Sequence, residues 1–100
     1  MQPNMKMLQQ MQQRIMKMQE ELEQTTVEGT AGGGAVTVTV NGLRSVQGVK
    51  IAPEAVDPED VEMLEDMILT AIQEAMNKAE SLASQKMGAI TGGINIPGLM

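Results

Sequence analysis

Hydrophobic positions recur at alternating steps of three and four near the start of the chain. No Gly or Pro interrupts residues 4–24, so this spacing predicts a helix over that segment. The recurring positions form one narrow apolar seam, which consists of Leu8, Met11, Ile15, Met18 and Leu22. A stripe of this width is typical of a helix that packs on a single partner helix, so we expect the seam to lie in the core or in a dimer interface.

Strict alternation of apolar and polar residues replaces this spacing in the next part of the chain. Residues 35–40 alternate Val with Thr, and a shorter β-prone stretch at 25–30 precedes them across a loop of three glycines. A further β-prone run, in which apolar and polar residues are mixed, follows at 43–51. These three runs predict three antiparallel strands within residues 25–52.

Two local signals predict the geometry of the last strand pair. Asn41-Gly42 directly follows the second run, and this dipeptide favours a type I′ hairpin turn, in which both central residues have positive φ. In the third run the apolar positions change parity near Gly48, which predicts a β-bulge there.

A long second helix is predicted over residues 57–87. Asp57 is the expected N-cap and Pro58 the first helical residue, and neither Gly nor Pro recurs before Gly88. The apolar face of this helix narrows to alanine in the middle, where another element must approach closely. Residues 88–100 are rich in Gly and Pro and are expected to form a flexible tail.

The element order predicts an α+β fold with an α-β-β-β-α protomer and a single domain over residues 1–100. A three-stranded antiparallel sheet covered by one helix has two open edges, and this chain has no aromatic side chain with which to fill its core. We therefore expect a homodimer, in which strands, the apolar seam, or both pair across a two-fold axis.

The composition excludes several classes of function. The chain has no His and no Cys, so it cannot build a Ser-His-Asp triad, a thiol nucleophile or a His/Cys zinc site. It also lacks Phe, Trp and Tyr, so it cannot stack nucleobases on aromatic rings. We expect no enzyme activity, no cofactor, no metal and no small-molecule substrate.

The hydropathy pattern bears on cellular location. The first 24 residues never place more than two apolar residues together, whereas a secretory signal needs a longer apolar run. No apolar stretch is long enough to cross a membrane. We expect a cytoplasmic protein that does not associate with membranes.

Charge is distributed unevenly along the chain, although 13 acidic and 7 basic residues give a net charge of -6. Residues 1–18 contain three basic residues and no acid, while residues 52–66 contain seven acids and no base. At about 100° per residue, the basic residues and two glutamines fall within roughly 100° of one another beside the seam. This basic strip consists of Lys6, Gln10, Gln13, Arg14 and Lys17. Lys and Arg would contribute charge to a phosphate backbone, and Gln would contribute neutral hydrogen bonds.

Other interpretations of these residues remain open at this point. The basic strip is also compatible with an ordinary solvated helix face. The glycine loop lacks the Lys-Ser/Thr and the helix start of a P-loop, and the pair Glu62 and Asp66 has no apolar surroundings that would suit an acid/base site. A Met-rich first helix is also typical of a coiled-coil adaptor or chaperone-like module that binds another protein.

Five segments, taken in order, resemble the YbaB/EbfC family of bacterial nucleoid-associated proteins, and they span nearly the whole chain. They are Met7-Leu8-Gln9-Gln10-Met11-Gln12, Gly33-Gly34-Ala35-Val36-Thr37-Val38-Thr39-Val40-Asn41-Gly42, Val49-Lys50-Ile51 with Pro53, Glu62-Met63-Leu64-Glu65-Asp66 and Gly92-Gly93-Ile94-Asn95-Ile96-Pro97-Gly98.

The resemblance implies a tweezer-like homodimer that binds double-stranded DNA and is associated with the nucleoid. It implies DNA contacts by Lys6, Arg14 and Lys17, and a contribution to nucleoid organisation and the regulation of gene expression. Whether Lys78 and Lys86 also contact DNA is left open by the sequence.

Overall fold

The computed structural model describes residues 5–91, and its elements follow the predicted α-β-β-β-α order. Residue 4, predicted as the first of the helix, lies outside the described residues. The elements are α1 (Met5–Gln24), β1 (Thr26–Ala31), β2 (Val36–Asn41), β3 (Val46–Ile51), a short 3-10 helix (Pro53–Ala55) and α2 (Val61–Thr91).

The three strands form one antiparallel sheet in the order β1-β2-β3, as the alternating pattern predicted. In β2 every second residue, Val36, Val38 and Val40, is fully buried, because successive side chains of a strand point to opposite faces. These valines pack against α2, which covers β1 and β2 but leaves β3 exposed except at Ile51. The core therefore lies on one face of the sheet, and the threonines between the valines lie on the other face.

The close contact predicted for the alanine-rich part of the second helix is made with β1. Ala71, Ala75 and Ala79 of α2 are fully buried. Opposite them lies Gly29, where a Cβ atom would overlap the carbonyl oxygen of Ala71 and the backbone nitrogen of Ala75. Only glycine fits at this position of β1, because the helix backbone itself occupies the space of a side chain.

The turn between β2 and β3 differs from the predicted type I′ turn. Neither Asn41 nor Gly42 has positive φ; in this turn the left-handed residue is Arg44, with φ of 64°. The Arg44 N–H donates to the Asn41 carbonyl oxygen at 2.9 Å, and the Asn41 N–H donates to the Ser45 carbonyl oxygen at 2.9 Å. This is a three-residue loop that ends in a left-handed residue. The prediction was wrong because the Asn41 side chain is committed to other hydrogen bonds, described below.

The bulge predicted near Gly48 is confirmed. Thr39 pairs with Gly48 and Val40 pairs with Val46, so Gln47 is the extra residue on β3. Because of this insertion, Val46 and Val49 both lie on the same face as the β2 valines.

The second helix begins and ends later than predicted. Asp57 does not cap it: the Asp57 carboxylate accepts the Glu59 N–H at 2.9 Å, within a turn that precedes the helix. Asp60 is the N-cap, since its carboxylate accepts the Met63 N–H at 3.2 Å, and α2 begins at Val61. The helix continues through Gly88 to Thr91, because one glycine costs a helix only about 1 kcal/mol. Residues 92–100 of the predicted tail lie outside the described residues.

The contact at Gly29 yields a stability prediction. We expect Gly29→Ala to lower the free energy of unfolding by about 3 kcal/mol, because the methyl group must push α2 off the sheet. Urea denaturation followed by far-UV circular dichroism measures the change. Gly48→Ala is the matched control: a Cβ at Gly48 meets nothing within 4 Å, so we expect a change of less than about 1 kcal/mol. Equal effects of the two variants would show that the helix-strand contact is not a tight one.

Candidate nucleic-acid interface

The first part of α1 projects from the body of the protein. All residues from 5 to 17 are exposed, whereas Met18 and Leu22 are buried. We call residues 5–17 the arm; at 1.5 Å per residue it is about 20 Å long. The radius of gyration is 19.0 Å, well above the roughly 13 Å of a compact chain of this length, and the extents are 69 × 28 × 16 Å. The arm is therefore accessible along its whole length.

Every residue of the basic strip lies on this arm and is exposed. Helix α1 is continuous from Met5 to Gln24, so the angular relation that places the strip beside the seam holds in the structure. No acidic residue lies within the arm, since the first acid of the chain is Glu20. The structure thus brings the five predicted contact residues, Lys6, Gln10, Gln13, Arg14 and Lys17, onto one accessible surface.

The apolar seam is divided between the arm and the body. Met18 and Leu22 are buried in the body, but Leu8, Met11 and Ile15 are 49%, 45% and 37% exposed. The C-terminal part of the seam, Met18 and Leu22, thus anchors the helix. The N-terminal part, which we call the upper seam, is an exposed apolar stripe on the arm.

The root of the arm is held by the loop that follows β2. The Gly42 N–H lies 2.8 Å from the Leu22 carbonyl oxygen and 3.0 Å from that of Thr25, and donates to both. Gly42 has no room for a side chain, since a Cβ would lie 2.7 Å from Cδ2 of Leu22. These contacts fix the last turn of α1 against the sheet.

Asn41 connects this loop to the helix, a role that the sequence analysis did not anticipate. Its side chain is buried and its Oδ1 accepts the N–H groups of Leu43 and Ser45, each at 2.9 Å. Its Nδ2 donates to the Glu23 carbonyl oxygen at 3.2 Å, which satisfies one of the carbonyl groups that a helix end leaves unpaired. Asn41 therefore shapes the turn and tethers the arm.

The lysines of α2 make local contacts. Lys86 Nζ lies 3.3 Å from a Glu21 carboxylate oxygen and so joins α2 to the root of α1. Lys78 Nζ lies 3.2 Å from Glu74 Oε1 and donates to the Glu28 carbonyl oxygen at 2.9 Å. Both ammonium groups are engaged within the body. Arg44, which was not among the predicted contact residues, is exposed on the loop that holds the arm.

The acid-rich segment 52–66 and the basic arm lie at opposite ends of the sheet. The acid-rich start of α2 packs near the glycine loop, where a Cβ at Gly32 would meet the Met67 sulfur. The root of the arm contacts Gly42, at the other end of β2. The acids at the glycine-loop end are Glu54, Asp57, Glu59, Asp60, Glu62, Glu65 and Asp66. A polyanion can therefore approach the arm without meeting this acidic cluster.

The other candidate sites do not assemble. Gly32, Gly33 and Gly34 form the turn between β1 and β2, so the glycine loop leads into a strand and not into the helix that a P-loop requires. Glu62 and Asp66 are exposed, and within residues 5–91 no three His, Cys, Asp or Glu side chains are grouped to hold a metal ion. Among the helices described, none is long and apolar enough to cross a membrane.

Comparison with known proteins favours the DNA-binding interpretation over the adaptor interpretation. Residues 1–94 match the model of the YbaB/EbfC DNA-binding family. The chain belongs to this family. It is a family of DNA-binding proteins and not of enzymes, so the carboxylate-enzyme alternative is discarded and DNA is the partner that the family indicates.

Similar proteins from several bacteria agree with the YbaB/EbfC assignment. A nucleoid-associated protein of Pelotomaculum thermopropionicum is 57% identical over 95 residues, which cover 95% of this chain and 90% of the relative. A nucleoid-associated protein of Chloroflexus aurantiacus is 58% identical over 90 residues, 90% of each chain. The crystal structure of an uncharacterized Helicobacter pylori protein matches with a TM-score of 0.66 at 23% identity, over 86% of this chain and 98% of that one. This last likeness concerns the fold.

The dual role of Asn41 can be tested by substitution. Asn41→Asp keeps an oxygen that accepts from Leu43 and Ser45 but loses the donor to Glu23, so we expect faster amide hydrogen exchange in the last turn of α1 and little change in the loop. Asn41→Ala removes all three bonds and should also lower the free energy of unfolding by about 1–3 kcal/mol. Hydrogen exchange followed by NMR distinguishes the two variants. Unchanged exchange in α1 of Asn41→Asp would mean that the tether does not hold the arm.

Proposed function

We propose that this protein is a nucleoid-associated protein that binds double-stranded DNA as a homodimer, mainly through phosphate contacts. It contributes to nucleoid organisation and to the regulation of gene expression, and it is located in the cytoplasm, on the nucleoid. The observation that carries this proposal is the exposed arm, which presents Lys6, Arg14 and Lys17 at the end of the molecule away from the acidic cluster.

Separation of charge resolves the apparent conflict between an acidic protein and a polyanionic ligand. The net charge of -6 would repel DNA if it were spread evenly. The arm, however, carries three bases and no acid. Two arms in a homodimer offer six bases, and if each neutralised one phosphate the slope of log affinity against log salt would reach about -5. Binding of this kind is independent of sequence and in roughly the micromolar range at physiological salt.

The arm offers little for direct base readout. The chain has no aromatic residue, and Arg14 is the only Arg in the basic strip. Bidentate pairing with guanine, the commonest base-specific contact, is therefore restricted to one residue per arm. Any preference among DNA sites would arise from DNA shape and deformability.

The homodimer is supported by apolar surface that one protomer leaves uncovered. Helix α2 covers mainly β1 and β2, so Val46 and Val49 of β3 are 50% and 51% exposed although they lie on the core face. The upper seam on the arm is exposed in the same way. An arm of 13 residues without a packing partner is also near the limit of stability in water, since isolated helices shorter than about 12–15 residues are marginal. A second copy that covered β3 or the seam would bury this surface.

The function is tested by titrating labelled duplex DNA with the protein at several salt concentrations. Fluorescence anisotropy of the DNA is the readout, because the protein has no aromatic chromophore. We expect the affinity to fall linearly in log salt, with a slope of up to about -5 for the dimer. Absence of binding at low salt would overturn the proposal. Affinity unaffected by salt would instead favour an apolar interface, as in the adaptor interpretation of the Met-rich helix.

The basic strip is tested by charge reversal. The triple variant Lys6→Glu, Arg14→Glu and Lys17→Glu should abolish DNA binding and leave the dimer intact, since none of the three residues belongs to the seam. The control variant Gln12→Glu, Met16→Glu and Gln19→Glu adds acids to the far side of α1, where all three residues are exposed, and should weaken binding much less. Anisotropy and sedimentation velocity are the measurements. Wild-type affinity of the first variant would contradict the assigned surface, and loss of its dimer would contradict the assigned faces of α1.

A further inference from the structure

Strand β1 is one edge of the sheet, and its outward backbone groups can be identified from their hydrogen bonds. Thr30 N–H donates to Glu74 Oε1 at 3.4 Å, and the Glu28 carbonyl oxygen accepts from Lys78 Nζ at 2.9 Å. Both partners belong to α2 and not to β2. Glu28 and Thr30 therefore direct their N–H and C=O groups away from the sheet, as alternate residues of an edge strand do.

The two α2 side chains match the repeat of the strand. Glu74 and Lys78 are four residues apart, a rise of about 6 Å along the helix. Glu28 and Thr30 are two residues apart, about 6.6 Å along the strand. Because α2 runs antiparallel to β1, each side chain meets one of the outward groups, and the two side chains also contact each other at 3.2 Å. We call this arrangement the Glu74–Lys78 clip.

A free strand edge is a template for another strand, whether from a second copy or from a misfolded chain. Natural proteins protect such edges with charged side chains, and the clip places one acid and one base on two of the outward groups that an added strand would need. The opposite edge strand, β3, contributes only Ile51 to the margin of the core and has half-exposed valines, Val46 and Val49, on its core face.

We propose that the Glu74–Lys78 clip closes the β1 edge, so that two copies associate on the β3 side and assembly ends at the dimer. This inference rests on the homodimer proposed above. An isologous dimer formed on the β3 side would still have two β1 edges, one at each end. Without the clip, pairing of β1 with β1 would repeat at both ends and build an open chain of dimers.

A stabilising role alone does not account for the clip. Exposed ion pairs between residues i and i+4 of a helix contribute little to stability, and both side chains of this pair are about half exposed. Their specific feature is the contact of each with a strand backbone group 44 or 50 residues away in the chain.

The double variant Glu74→Ala and Lys78→Ala tests the proposal. Sedimentation velocity over a wide range of protein concentration should give a constant dimer mass for the wild type. For the variant we expect a weight-average mass that rises with concentration to at least about twice the dimer value. Glu65→Ala with Glu80→Ala is the matched control, because it also removes two exposed charged side chains of α2, neither of which forms a hydrogen bond or ion pair with β1. Its mass should equal that of the wild type.

A second variant separates the effect of the clip from the effect of charge. Glu74→Gln retains an oxygen that accepts the Thr30 N–H, so it should assemble less than the double variant does. Far-UV circular dichroism checks that each variant is folded, and the fully buried alanine face of α2 is intact in all of them. A folded double variant that keeps the dimer mass at all concentrations would overturn the inference. A monomeric wild type would instead overturn the homodimer.

Discussion

The close approach of α2 to β1 at Gly29 determines how the rest of the molecule is arranged. Backbone lies directly on backbone there, because Gly29 and the alanines opposite it leave no side chain between the two elements. This contact holds α2 over β1 and β2, so Val46 and Val49 remain exposed on the core face of β3. It also brings Glu74 and Lys78 to the sheet edge and carries Lys86 to the root of the arm. One steric constraint thus determines which strand is exposed, which side chains reach the β1 edge, and which lysine contacts the root of the arm.

The order of elements was predictable because three periodicities succeed one another along the chain. The seam of α1, the Val-Thr alternation of β2 and the alanine-rich face of α2 each reflect a burial pattern that local sequence records directly. The bulge was predictable for the same reason, since the insertion of Gln47 changes the parity of the apolar positions. Burial that depends on a neighbouring element was not predictable in this way. Val46 and Val49 have the same pattern as core residues, yet their exposure depends on how far α2 extends across the sheet.

Two predictions of local structure were wrong: the turn type at Asn41-Gly42 and the N-cap of α2. Asn41-Gly42 has the composition of a type I′ turn, but the Asn41 amide binds both its own loop and the end of α1, and Gly42 is required for close contact with Leu22. Asp57 and Asp60 are both capping residues by type, and only the geometry of the preceding turn decides that Asp60 caps α2. The contacts of Asn41 and Gly42 with α1 join residues that are distant in the chain, so local periodicity does not predict them. In the candidate site, the basic strip could be found from spacing and charge alone, whereas the tether that orients it could not.

The separation of acidic and basic ends has a consequence for how the protein moves near DNA. Electrostatic interactions in physiological salt are screened within about 8 Å, whereas the molecule is 69 Å long. Its two ends are therefore electrically independent at the DNA surface, and the net charge does not describe what either end experiences. Within about this screening length of the DNA surface, the duplex attracts the arm and repels the acidic end, and the resulting torque turns the acidic end outward and the arm inward. The molecule is thereby oriented before its first contact with the duplex, so a smaller fraction of encounters begins in an unproductive geometry.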